Sequence, residues 1–268
     1  MVRLLRLVLV LSVGLGVVAV LQPQMFDRLT QGPVTPGRMV EETLKLQVRA
    51  PMSEYNAPRG VFATATFVHD GVERRWHWMA PEGAGPSPVI VLLHGSGRNG
   101  AAMLDMAASL VQRGYFLVAP DSAKPDGWSP QADGEDFIAA LLDEAELVRP
   151  LDRGRMFLVG HSAGGNHALW LGNRQGMVWQ GVAAHAGAVP GRRIVGRAEA
   201  PNVLIVVGDR DAFYPVDAVR ASAVMLAEAG HDVTLQIVPG HDHWFYLIGP
   251  RFMRHAEAFL REAALAGD

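Results

Sequence analysis

The chain of 268 residues contains no cysteine. That single absence removes disulfides, thiol nucleophiles and thiolate zinc sites together. Charge is also sparse: 19% of residues are charged, the formal net charge is −3, and the basic residues are scattered. Such a surface offers no electrostatic footprint for nucleic acid. Internal repeats and low-complexity tracts are absent as well. What the chain does have is apolar bulk, 49% of its residues, enough for a large core and against disorder. The length suits one α/β domain.

The N-terminus pairs basic residues with a long apolar run. Arg3 and Arg6 precede an uncharged apolar run from Leu7 to Leu21, followed by Gln22-Pro23-Gln24. A basic head and an apolar stretch of about 15 residues are the pattern of a secretory signal, and Val17-Val18-Ala19 is a tolerable small-residue cleavage match. An uncleaved membrane anchor is the rival reading, although the run is short against the roughly 20 apolar residues of a typical span. Either way the remainder of the chain is expected outside the cytoplasm, in the periplasm or medium or attached to a membrane. Residues 1–24 are therefore assigned to a signal peptide or anchor. Residues 25–57 are polar and rich in turn signals such as Gln31-Gly32-Pro33 and read as a linker, with a short element expected around Thr43 to Val48. Residues 58–268 form the domain.

Within that domain the period of the apolar residues alternates between strand and helix. Val61 to Val68 and Val72 to Met79 flank an Asp70-Gly71 turn, a strong hairpin signal; His77 in the second run reads as a solvent-facing strand residue. Continuous apolar runs at Val89–Leu93, Met156–Val159 and Val203–Val207 suit strands buried on both faces, and Tyr115–Ala119, Val182–His185 and Val233–Val238 read as further strands. Helical spacing is expected over Ala101–Arg113, Glu135–Val148, Val216–Ala229 and Arg251–Leu265. Strands alternating with helices of this length imply βαβ units and a mostly parallel sheet.

The chemistry centres on Gly160-His161-Ser162-Ala163-Gly164, which follows the strand at Met156 and precedes an apolar helical stretch. Strand, sharp turn and helix are the context that makes a G-x-S-x-G a nucleophile elbow. Glycines on either side leave room that a side chain would fill. A serine hydroxyl is a weak nucleophile and needs a base, itself oriented by a carboxylate. Both should lie beyond the C-terminal ends of strands, where open α/β sheets bind ligands. Val203–Val207 ends in Gly208-Asp209-Arg210-Asp211, and the last strand ends in Pro239-Gly240-His241-Asp242-His243. Serine, then aspartate, then histidine is the chain order of the elbow-bearing fold.

On these motifs the stretch from Val61 to the C-terminal helix resembles the α/β-hydrolase superfamily, and within it the compact serine esterases related to polyhydroxybutyrate depolymerases and feruloyl esterases. The resemblance implies an α/β-hydrolase fold, with a mostly parallel central sheet, an N-terminal hairpin and helices on both faces. The stretch between His185 and Pro201 is too short for a large cap domain. The resemblance also implies Ser162 as nucleophile, Asp211 as acid with Asp209 as alternative, and His243 as base with His241 as alternative. Ala163 and Ser96 would supply backbone N–H groups to an oxyanion hole, Gly97 being the second choice to Ser96 in the His94-Gly95-Ser96-Gly97 segment. His161, Trp128 and Trp244 are pocket candidates, while His167 and His185 read as packing residues. The chemistry so implied needs no cofactor and no metal, and its partner is a small-molecule ester. A peptidase or amidase on the same machinery, and a non-catalytic binding protein on the same fold, stay open as other readings. The chain departs from secreted polymer depolymerases in lacking cysteine and any evident polymer-binding module.

Overall fold

In the computed structural model the described residues, 34–46, 60–190 and 193–266, build a nine-stranded sheet. The expected signal or anchor and most of the linker lie outside them. The strands are β1 (Met39–Thr43), β2 (Ala63–His69), β3 (Val72–Met79), β4 (Ser87–Leu93), β5 (Phe116–Pro120), β6 (Leu151–His161), β7 (Gly181–His185), β8 (Asn202–Gly208) and β9 (Val233–Val238). They lie in the order β1-β9-β8-β7-β6-β4-β5-β3-β2. All pairs are parallel except β2 with β3 and β3 with β5. The helices are α1 (Gly100–Ala107), α2 (Glu135–Val148), α3 (Ala163–Gly172), α4 (Val216–Glu228) and α5 (Gly249–Ala266).

Alternation along β4 shows how the central strands earn their position. Val89, Val91 and Leu93 join one apolar layer with residues of α2, α3 and α4. Ile90 and Leu92 join the opposite layer with α1 and α5. All five are essentially inaccessible, so the unbroken apolar run follows from having a helix layer on each side. The β2–β3 hairpin closes as its Asp-Gly predicts, with positive φ at both Asp70 and Gly71, the twist-matched two-residue turn.

Three features depart from expectation. Met39–Thr43 is a strand, parallel to β9 at the sheet edge, inside the stretch read as linker and ahead of the element expected at Thr43–Val48. The expected helix from Ala101 to Arg113 is α-helical only to Ala107, then tightens into a 3-10 helix over Ala108–Arg113. His77 is buried, not solvent-facing: β3 is covered on that side, and the ring lies between Thr64 Oγ1 (2.8 Å) and Asp121 Oδ1 (3.2 Å). Between β7 and β8 the chain carries no large cap among the described residues. The chain passes from β4 to β5 on one side and then from β5 across to β6 on the other side of β4, and at such a switch point the loops beyond the strands diverge and leave a crevice.

Candidate active site

Ser162 sits on the turn between β6 and α3 with φ 55° and ψ −119°, a conformation a non-glycine residue holds only under constraint. Two glycines show the constraint. A Cβ on Gly160 would lie 2.2 Å from Gly164 O, and one on Gly164 would lie 2.1 Å from Leu93 O. Strand, turn and neighbouring strand are therefore in backbone contact, and only hydrogen atoms fit between them. The Ser162 N–H donates to His185 O on β7 (2.9 Å), which ties the turn to the next strand.

His243 reaches this serine from the loop after β9. Its Nε2 lies 3.0 Å from Ser162 Oγ, and its Nδ1 lies 2.8 Å from Asp211 Oδ2. Asp211 stands in the loop after β8, and its other oxygen, Oδ1, accepts the N–H groups of Phe213 (2.9 Å) and Tyr214 (2.8 Å). Burial by itself would raise this carboxyl. The hydrogen bond with His243 and the two backbone N–H groups outweigh burial and hold it below its usual value. The carboxylate is thus ionised, and its partner nitrogen on His243 must carry the proton. Nε2 is then left as an acceptor for the serine hydroxyl.

The alternatives are engaged elsewhere. Asp209 is exposed and accepts the Gly240 N–H at 2.7 Å, stitching the β8 loop to the β9 turn. His241 is fully buried, with Nε2 2.9 Å from His185 Nε2 and no partner on Nδ1. The two histidines part because Asp242 Oδ1 accepts the Trp244 N–H (2.8 Å), a local turn after which His243 stands over the sheet end.

His185 also meets His161, with Nδ1 to Nδ1 at 3.0 Å. His161, His185 and His241 thus form a buried row. An unpaired buried N–H is the rarer and costlier orphan, so the proton of His241 belongs on Nε2, where it donates to His185. The Nδ1–H of His185 then donates to His161, which keeps its own proton on Nε2. That edge of His161 faces Gly95, whose Cβ would lie 3.3 Å from it and 3.4 Å from Ser162 Cβ. Burial keeps all three rings neutral: it pushes His161 down to about 3, with help from the neighbouring His243, puts His185 well below the ordinary histidine value, and lowers His241.

The loop after β4 supplies the remaining edge. Gly97 N–H is taken by Pro125 O (2.7 Å), whereas among the described residues no carbonyl accepts the N–H of Ser96 or of Ala163. Both residues flank Gly127, whose Cβ would lie 3.8 Å from Ser96 Oγ and 3.7 Å from Ala163 Cβ. The Ala163 N–H opens helix α3, where backbone donors lack intrahelical partners. His94 orients the loop: its Nδ1–H donates to Gly95 O (2.8 Å) and its Nε2 accepts the Ser122 N–H (3.0 Å). Burial lowers its pKa in keeping with that single neutral tautomer.

Of the two tryptophans, Trp128 is a strut more than a wall. Its indole N–H donates to His94 O (2.8 Å), and its ring packs on His94 and His167. Trp244 is 36% exposed and lies with Tyr246 beneath the Arg98 guanidinium, at 5.2 and 5.3 Å. Sequence reasoning passed over Phe213, Tyr214 and Asn166. Phe213 is 77% exposed with its ring centroid 4.9 Å from that of His243, and Tyr214 stacks on His243 at 5.5 Å and 10°. Asn166 lies one helical turn beyond Ser162, which puts the two on one face. A polar residue there amid Ala168, Leu169 and Leu171 was the available signal.

Residues 77–264 match the model of the Dienelactone hydrolase family. The chain belongs to that family. Among curated relatives, the putative esterase NocK of Nocardia uniformis subsp. tsuyamanensis is 31% identical over 150 residues, 51% of this chain and 43% of its own length. The curated relatives that this family member matches are each spanned over less than half their length. Among solved structures, esterase PE8 is 25% identical at a TM-score of 0.56, over 69% of this chain and 97% of that one. The ferulic acid esterase of Anaeromyces mucronatus shares the fold at 18% identity and a TM-score of 0.60, over 77% and 92% of the two chains. Among the described residues no group of three or more His, Asp or Glu side chains is arranged to hold a metal ion.

Proposed function

We propose that the chain is a serine hydrolase that cleaves carboxylic esters through an acyl-enzyme. The observation that carries this reading is the continuous line from Ser162 Oγ to His243 Nε2 and from His243 Nδ1 to Asp211. In this reading Ser162 attacks the ester carbonyl as His243 takes its proton, and Asp211 holds the imidazole in the accepting tautomer. The Ser96 and Ala163 N–H groups receive the negative charge that develops on the carbonyl oxygen. His243 then hands its proton to the departing alcohol, and the same steps with water release the acid. The exposed Phe213 and Trp244 flank the base, so a small ester with an apolar or flat group suits the opening. Membership of the dienelactone hydrolase family and the likeness to esterases support the reading.

Labelling with a fluorophosphonate tests it directly. One adduct on Ser162 is expected, absent from Ser162→Ala and from His243→Ala protein. A folded wild-type chain that takes no label, or that keeps its esterase activity as Ser162→Ala, overturns it. Matched ester and amide substrates then decide between esterase and amidase, with faster ester turnover expected.

The location of this activity is proposed from residues 1–24, as an export signal in the first instance and a membrane anchor in the second. Fractionation with N-terminal sequencing tests it: a shortened chain outside the cytoplasm supports export, a full-length membrane-bound chain supports the anchor, and a cytoplasmic chain overturns both.

A further inference from the structure

Phe213 and Trp244 are the only exposed Phe, Tyr or Trp side chains among the described residues, and they stand on the two loops that carry Asp211 and His243. Trp244 already packs against Tyr246, with ring centroids 5.2 Å apart, and lies beneath the Arg98 guanidinium. The ring that meets Phe213 among the described residues is His243 itself, at 4.9 Å and a tilt of 47°. A stiff backbone sets that position. The N–H groups of Phe213 and Tyr214 both donate to Asp211 Oδ1. The Tyr214 hydroxyl accepts from Asn166 Nδ2 (2.8 Å), and its ring lies parallel to the His243 imidazole. Pro215 follows at the head of α4. The turn is thus pinned on both sides of Phe213, while the phenyl ring projects from it into solvent. An apolar ring held rigidly in water beside a catalytic group is surface to which a ligand can add.

We infer that Phe213 is the specificity-determining residue for the alcohol half of the substrate, and that the chain takes esters of flat, aromatic alcohols. This rests on the serine-hydrolase reading above. The assignment follows from the four bonds of the tetrahedral carbon formed when Ser162 attacks. One bond goes to Ser162 Oγ. A second goes to the oxyanion, which the Ser96 and Ala163 N–H groups receive. A third goes to the alcohol oxygen, which must come within about 3 Å of His243 Nε2 to be protonated. As that C–O bond breaks, its electron pair stays on the departing oxygen and the proton from His243 completes the alcohol. The acyl chain takes the one direction that remains, away from the base. Asp211 closes the Nδ1 edge of His243, so the group carried by the departing oxygen is brought to the imidazole on which Phe213 packs. A flat ring there can lie against the Phe213 ring and remove apolar surface of both from water. A compact alkyl group covers less of it.

Phenyl acetate and hexafluoroisopropyl acetate test this, because they share an acyl group and release alcohols of similar acidity, one flat and one not. The reading is the ratio of their kcat/KM values, which report the path up to loss of the alcohol. Phe213→Ala should lower the ratio of phenyl to hexafluoroisopropyl ester about tenfold, the size expected of one aromatic contact and the area it covers. Phe213→Tyr keeps the ring and should keep the wild-type ratio. Phenyl butyrate against phenyl acetate varies the acyl chain alone, and that ratio should be the same in Phe213→Ala as in the wild type. An unchanged alcohol ratio in Phe213→Ala, whatever the loss of absolute rate, shows that Phe213 only packs on His243 and overturns the inference. So does a change that follows the acyl chain, or a Phe213→Tyr protein that behaves as the alanine variant does. Fluorophosphonate labelling of the wild-type chain keeps the two levels apart. Labelled wild type with an unchanged alcohol ratio sinks the Phe213 assignment alone, and unlabelled wild type sinks the serine reading beneath it.

Discussion

Asp211 illustrates how much a single side chain is asked to do. One carboxylate oxygen serves His243 while the other anchors the turn through two backbone N–H groups. Asp211→Asn keeps the shape, yet its amide group can donate towards His243 Nδ1 and stabilise the tautomer that carries a proton on Nε2. That nitrogen then has no lone pair for the serine proton. The expected result is a kcat lower by about 10⁴-fold with the fold intact, read by ester turnover alongside a thermal melt. Retention of more than about a tenth of the activity would argue that Asp211 has no part in orienting the base. At this scale the neighbourhoods of Ser162, Asp211 and His243 were legible, because the elbow motif and the ends of two strands point to them. Asp209 against Asp211, and His241 against His243, were not: each pair is two residues apart in a loop, and which member faces the serine depends on hydrogen bonds such as that from Trp244 N–H to Asp242.

The elements that hold these residues are stiffened at points the motifs do not mark. Asp133 is inaccessible and accepts from Arg74 Nη2 (2.6 Å), Ala123 N–H (2.9 Å) and Ser129 N–H (2.8 Å). It thereby clamps the loop after β5, which carries Trp128, to strand β3. Asp133→Ala leaves the Arg74 guanidinium, itself buried, without its counter-ion. A cost of about 3–5 kcal/mol is expected for that uncompensated charge. Denaturant unfolding measures the loss, and limited proteolysis in the 122–132 loop should rise with it; an unchanged midpoint would show that water reaches Arg74. Strands buried on both faces were easy to read from their apolar runs. β6 begins five residues earlier than its apolar part, at Leu151, because pairing with Ser87 extends the polar Asp152–Arg155 segment. β1 escaped notice because Met39–Thr43 pairs on one side only and is largely exposed, so no periodic burial marks it.

For the molecule as a whole, the buried histidines set a dependence on acidity. His161, at about 3, and His231, at about 4, are both held down by burial, whereas in the unfolded chain each titrates near the ordinary value of about 6.5. Between those values the unfolded chain binds more protons than the folded one. Stability is therefore fully present above about pH 6.5 and is lost progressively as the pH falls towards 4 and 3. The denaturant midpoint should drop between pH 7 and pH 5, and His231→Gln should flatten that drop; a midpoint independent of pH over this range would count against the buried neutral rings.

The sequence by itself determined the layered α/β class, the elbow with its two obligatory glycines and the chain order of serine, aspartate and histidine. Each of these is a local pattern: an apolar run, a turn that tolerates no Cβ, or a polar residue at a strand end. Only the tertiary structure decided which histidine meets Ser162, that three other histidines line up behind it, and that Tyr214, its hydroxyl held by Asn166, stacks on His243. Those contacts join loops that lie far apart in the chain, and their directions are set by which lone pairs and protons remain once neighbouring backbone groups are satisfied. No spacing along the chain encodes that balance.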